Sequence, residues 1–175
     1  MRTINTKKLT LTAMFTALVY IGTMLAIPIP KTSGILNLGD SIIIISSVIL
    51  GPFSGAFAGA IGASLGDFTW GAIHYIPATF IIKGAMGFII GYLARSKSMK
   101  SIRKSAILAE IVMVISYFLY ELLFLKLLIG DGGFGYAIFG VPFNITQGIV
   151  AVVVSLWSIK YIQKHEYFND IRKNS

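Results

Sequence analysis

The chain has 175 residues, of which 55% are hydrophobic and only 13% charged, and its mean hydropathy is +0.79. A soluble domain carries about a quarter of its residues charged, so water is excluded as the main solvent; at about 20 apolar residues per crossing, the length accommodates about six spans and little else. The net charge of +8 does not call for nucleic acid, since twelve of the fifteen Lys and Arg residues sit in three clusters that abut apolar stretches, and the absence of cysteine excludes disulfides, thiolate catalysis and cysteine-based metal sites.

A first helix is expected over 9–27, directly after Lys7 and Lys8. It is long for the apolar region of a signal peptide and reaches Pro28 and Pro30 without a small-x-small cleavage site, so it reads as a retained span. Ala13 and Ala17 make an A-x-x-x-A pair on it, which suits packing inside the bundle or docking of another membrane protein. A loop near 28–38 leads to a short second helix, 39–51, and Gly51-Pro52 breaks the chain before a third, 53–71. Gly55, Gly59, Gly62 and Gly66 line one face of that third helix, so a neighbouring backbone can approach closely. Helix four, 77–95, starts at Pro77, where a missing N–H costs nothing, and carries Gly84, Gly87 and Gly91. The basic stretch Arg95–Lys104 is read as a hinge before helix five, 105–129. A glycine-rich loop, 130–141, suited to a lid or to tight turns, then precedes helix six, 142–162.

The expected fold is therefore an all-α integral membrane bundle of six transmembrane helices in a single domain spanning 1–175. The three basic clusters set its orientation: Arg2, Lys7 and Lys8; Arg95, Lys97, Lys100, Arg103 and Lys104; and Lys160, Lys164, Arg172 and Lys173. All fall on one side if both termini are cytoplasmic, as the positive-inside rule requires in a cell membrane.

Polar side chains within the spans cost energy unless they are paired or face a cavity. Lys83, Glu121, Asn144 and Gln147, from helices four, five and six, are expected in one layer near the outer face, about 10–12 Å deep for the two charged residues. The alternative is a Lys83–Glu121 ion pair that joins helices. Trp70, His74 and Tyr75, with Tyr117 and Tyr120, surround the layer; they suit an interfacial aromatic belt, or stacking on a small flat heterocycle. Asp40 and Asp67 stand at outer helix ends, where capping, loop tethering and ligand contact are all open. His74 and His165 lie on opposite sides, so no metal site is expected, and no catalytic motif or cofactor signature is present.

Five segments carry a family resemblance: Leu36–Asp40, Leu50–Gly59, Gly62–Asp67, Ile82–Gly87 and Pro142–Gly148. Over nearly the whole chain the sequence resembles the substrate-binding S components of energy-coupling factor (ECF) transporters, nearest the subfamily associated with hydroxymethylpyrimidine or pyridoxine-like vitamins. The resemblance implies a vitamin-binding subunit, not an enzyme, that captures its ligand outside. It further implies docking, through Ala13 and Ala17, onto a transmembrane coupling subunit carrying two ATP-binding-cassette ATPases. Riboflavin or pantothenate as ligand, a self-sufficient channel or facilitator, and a structural or assembly membrane protein are the competing readings.

Overall fold

The computed structural model describes residues 6–28, 35–96, 98–125, 127 and 132–164. Six α-helices occupy most of them: α1 (Thr6–Met24), α2 (Gly39–Leu50), α3 (Pro52–Thr69), α4 (Ile76–Leu93), α5 (Met99–Tyr120) and α6 (Gly132–Ile162). A single 3-10 turn, Ile73–Tyr75, leads into α4, and a π-helical turn, Glu121–Leu125, extends α5. Three of these helical stretches are long and apolar enough to cross a membrane, namely Ile73–Leu93, Met99–Phe124 and Ala137–Ile162; α2 is apolar but short.

Four expected boundaries are corrected. The first helix stops at Met24 instead of residue 27, because Ala26–Pro28 (β1) leaves it to pair antiparallel with Ile35–Asn37 (β2), Ala26 opposite Asn37. The expected loop at 28–38 thus holds one strand of a small hairpin, and the fold is helical with that one addition. Helix five begins at Met99, not 105: Ser98 caps it by accepting from the Ser101 N–H at 3.2 Å, and this absorbs much of the expected basic hinge. It also ends its α-helical course at Tyr120, with the π turn following.

The largest difference lies in the sixth helix, which begins at Gly132 and not at residue 142. Gly132–Tyr136 is helical and not a loop, while Gly130 and Asp131 lie outside the described residues. The helix thus runs through this segment in spite of the poor helix propensity of glycine, ahead of the apolar stretch Ala137–Ile162. With that earlier start Pro142 sits inside α6 and not in its first turn, a position that apolar spans tolerate. Thr146 Oγ1 donates to the Pro142 carbonyl at 2.8 Å, a local bond of the kind that polar side chains make in apolar helices.

Small residues set how closely the helices approach. On α3, a Cβ added at Gly62 would stand 2.6 Å from the Thr16 carbonyl of α1, and one added at Gly59 would stand 2.6 Å from the Lys83 carbonyl of α4. A Cβ at Gly87 of α4 would fall on the Gly55 carbonyl of α3. Consequently α3 packs backbone to backbone against both α1 and α4, as its glycine pattern foretells. The main core then fills the space between α4, α5 and α6 with Met86, Ile90, Ile102, Ala106, Ala109, Met113 and Ile159, all buried. Large side chains such as Phe53, Ile81 and Trp157 point outward, 78%, 70% and 73% exposed, as a lipid-facing surface allows.

The bundle has two chemically different ends. Leu11, Phe15, Ile49, Leu50 and Ile162 cluster near one end, close to the described basic residues of the α1 start, the α4–α5 connection and the α6 terminus. The hairpin, the start of α2, the 3-10 turn and the π turn occupy the other, where Asn37, Asp40, Lys83, Glu121, Asn144 and Gln147 are buried.

Candidate functional site

Asp40, in the first turn of α2, is 1% exposed and faces Lys83 of α4, itself 3% exposed. Lys83 Nζ donates to both carboxylate oxygens of Asp40, at 2.7 and 2.8 Å. Gln147 of α6 donates its Nε2 to Asp40 Oδ2 at 2.6 Å and accepts the Asn37 N–H on Oε1 at 2.8 Å. Asn37 Oδ1 in turn accepts the Gly39 N–H at 2.8 Å, closing the turn between β2 and α2. One buried charge pair and one amide thereby join the hairpin, α2, α4 and α6. Lys83 Nζ also stands 5.3 Å from the ring centroid of Tyr117, and Tyr117 shares a 2.9 Å hydroxyl hydrogen bond with Thr79.

A second group adjoins through Tyr117, whose ring centroid is 6.3 Å from that of Tyr75. Tyr75 donates its hydroxyl to Glu121 Oε1 at 2.9 Å. Its ring also lies 4.9 Å from His74 and 5.7 Å from Tyr120, whose hydroxyl donates to the His74 carbonyl. Glu121 opens the π turn, and the backbone of α6 comes against it: a Cβ at Gly140 would be 2.8 Å from Glu121 Oε2. π turns are rare and frequent at functional sites.

The expected layer is thus assembled with a different wiring. Lys83, Glu121, Asn144 and Gln147 are all buried near the same end, but Lys83 pairs with Asp40 and Glu121 with Tyr75. The alternative Lys83–Glu121 ion pair is therefore not the arrangement. His74, Tyr75 and Tyr117 stand in the aromatic group as expected, whereas Trp70 is 41% exposed and donates its indole N–H to the Thr23 carbonyl of α1 at 3.4 Å. Sequence reasoning left Asp40 undecided and missed Asn37 and Thr79. Their partners lie 43, 110 and 38 residues away along the chain, so no local spacing carries the signal. On the opposite half of the molecule, Ala13 and Ala17 are both exposed on α1.

The family model described as ECF-type riboflavin transporter, S component, matches residues 3–164. The thiamine precursor transporter HmpT of Lactococcus lactis subsp. cremoris (strain MG1363) is 34% identical over 171 residues, covering 97% of this chain and 95% of its own. A Pyrococcus woesei protein, described only as an uncharacterized protein in gap 3′ region, is 39% identical over 101 residues, 57% of this chain and 68% of that one. Among solved structures, one reported under "Structure and mechanism of the S component of a bacterial ECF transporter" aligns with a TM-score of 0.74 at 22% identity, over 92% of this chain and 98% of that chain. That likeness establishes the fold. With the model match over nearly the full length and the HmpT alignment from end to end, the chain belongs to the S components of ECF-type transporters.

Proposed function

We propose that this S component binds a small heterocyclic vitamin precursor, of the hydroxymethylpyrimidine or pyridoxine type, in the polar layer at the non-basic end of its bundle. Lys83, Glu121, Asn144 and Gln147 line the site, with His74, Tyr75 and Tyr117 as stacking surfaces and Trp70 on the adjoining loop. The carrying observation is that three helices and the hairpin bury this many polar groups together at one end of an apolar bundle, an arrangement that membrane proteins reserve for ligand and ion sites. HmpT, similar from end to end, is named for a thiamine precursor, which favours a pyrimidine.

All six helices span the bilayer in this reading, with both termini and the basic end in the cytoplasm and the polar layer facing outward across the cell membrane. Exposed Ala13 and Ala17 give α1 a smooth face for a transmembrane coupling subunit, and two partner ATP-binding-cassette ATPases supply the energy. The S component itself catalyses nothing. A second reading, riboflavin as ligand, rests on the description of the matching family model.

Purified protein in detergent, without ATP, is expected to be stabilised by one heterocycle in a thermal-shift screen of B vitamins and their precursors. A ligand at one hundred times its dissociation constant adds about 2.7 kcal/mol, which is readily seen. No stabilisation by any compound refutes the binding role. Rapid flux through liposomes containing this chain alone would replace it with a self-sufficient facilitator.

A further inference from the structure

The two polar groups of the layer differ in whether their hydrogen bonds are already made. Asp40 accepts from Lys83 and Gln147, Gln147 Oε1 accepts from Asn37, and Lys83 Nζ is held by both oxygens of Asp40. That group ties four elements together and satisfies both oxygens of Asp40. Glu121 is different. It is 3% exposed, Oε1 takes the Tyr75 hydroxyl, and Oε2 is buried with no partner among the described residues. His74 Nε2, on the residue whose ring adjoins Tyr75, is likewise buried without a partner. A buried hydrogen-bonding atom left without a partner is costly, so two such atoms beside the same tyrosine rings mark where a guest would be read.

We infer that Glu121 is the specificity-determining residue of the proposed site, selecting a ligand that brings a hydrogen-bond donor, such as the exocyclic amine of an aminopyrimidine, to Oε2. This rests on the binding role proposed above and deepens it. The donor requirement follows from the chemistry of the free atom. With Glu121 ionised its oxygens only accept, so a vitamin presenting carbonyl or carboxylate oxygens there would set acceptor against acceptor, whereas a protonated Glu121 would donate and the preference for an amine would vanish. Tyr75, Tyr117 and Tyr120 supply faces for a flat ring, and at Gly140 the backbone of α6 comes close enough that the Glu121 carboxyl is held between α6 and Tyr75. The π turn that begins at Glu121 sets this carboxyl at the recess. Lys83 and Asp40 adjoin this group through Tyr117, with two Lys83 N–H groups given to Asp40 and a further Asp40 bond accepted from Gln147.

The test measures affinities of the detergent-purified full chain by calorimetry for 4-amino-5-hydroxymethyl-2-methylpyrimidine and for its analogue lacking the amine, in wild type and in Glu121→Gln. Gln keeps an acceptor for Tyr75 and can turn an amide N–H toward the ligand. Loss of the amine should weaken wild-type binding about 10- to 100-fold, the range of a hydrogen bond to a charged group, and weaken the variant less than about threefold. An equal penalty in both proteins, or unchanged affinity of Glu121→Gln for the aminopyrimidine, overturns the inference. If Glu121→Gln does not fold, the wild-type comparison still decides, since equal binding of the two pyrimidines overturns it. Tight binding of pyridoxine, riboflavin or pantothenate with none of the aminopyrimidine also overturns it while leaving the vitamin-binding role standing. Binding of no compound in this set removes both.

Discussion

Replacing Lys83 by Met tests whether the Asp40–Lys83 pair holds the site end of the bundle together. Met keeps most of the side-chain length and removes the charge. Asp40 would then remain 1% exposed with Gln147 Nε2, at 2.6 Å, as its retained partner. Breaking a buried pair on one side costs about 3–5 kcal/mol, because the surviving charge is desolvated without compensation. Asp40→Asn alone should cost less, since it leaves a buried ammonium beside an amide oxygen and the Tyr117 ring. The double variant Asp40→Asn/Lys83→Met removes both charges and should recover a large part of the loss, giving a coupling of about 2 kcal/mol or more in a double-mutant cycle. Equilibrium unfolding in mixed micelles with increasing SDS, followed by tryptophan fluorescence and circular dichroism, reads all four proteins. A Lys83→Met variant within about 0.5 kcal/mol of wild type, the range of neutral surface changes, refutes the reasoning.

Gly87→Val places a branched side chain where even a Cβ falls on the Gly55 carbonyl, so α3 and α4 must part. It is expected to cost at least about 1–3 kcal/mol, and a folded yield and unfolding midpoint equal to wild type would show that the glycines are not packing devices. Ala13→Trp with Ala17→Trp alters a face that is exposed in the isolated chain, so ligand binding in detergent should be unchanged while uptake by cells carrying the partner subunits is lost. Uptake at wild-type levels would place the docking face elsewhere. Thr79→Val removes a buried hydroxyl that shares a 2.9 Å hydrogen bond with Tyr117 and is expected to cost about 1 kcal/mol of stability; unfolding with no measurable change would remove Thr79 from the support of the aromatic recess.

Composition, charge clustering and glycine spacing were enough to recover the bundle, because each reports a local or one-dimensional cost. Apolar stretches report desolvation, the basic clusters mark one end, and Gly55, Gly59, Gly62 and Gly66 report a surface that must lie against another backbone. The buried depth of Lys83, Glu121, Asn144 and Gln147 was legible for the same reason, since a polar residue inside an apolar run has to go inward. Partners were not legible. Which anion Lys83 meets depends on how α2 is brought beside α4, and Asp40 lies 43 residues away with no pattern linking the two. The start of α6 also escaped the sequence, as the local glycine density of Gly132, Gly133 and Gly135 reads as a loop although the helix begins there. Tertiary structure alone decided that Asp40 meets both Lys83 and Gln147 while an oxygen of Glu121 stays unmatched among the described residues, because which hydrogen bonds form depends on which side chains meet in space, and chain order does not encode it.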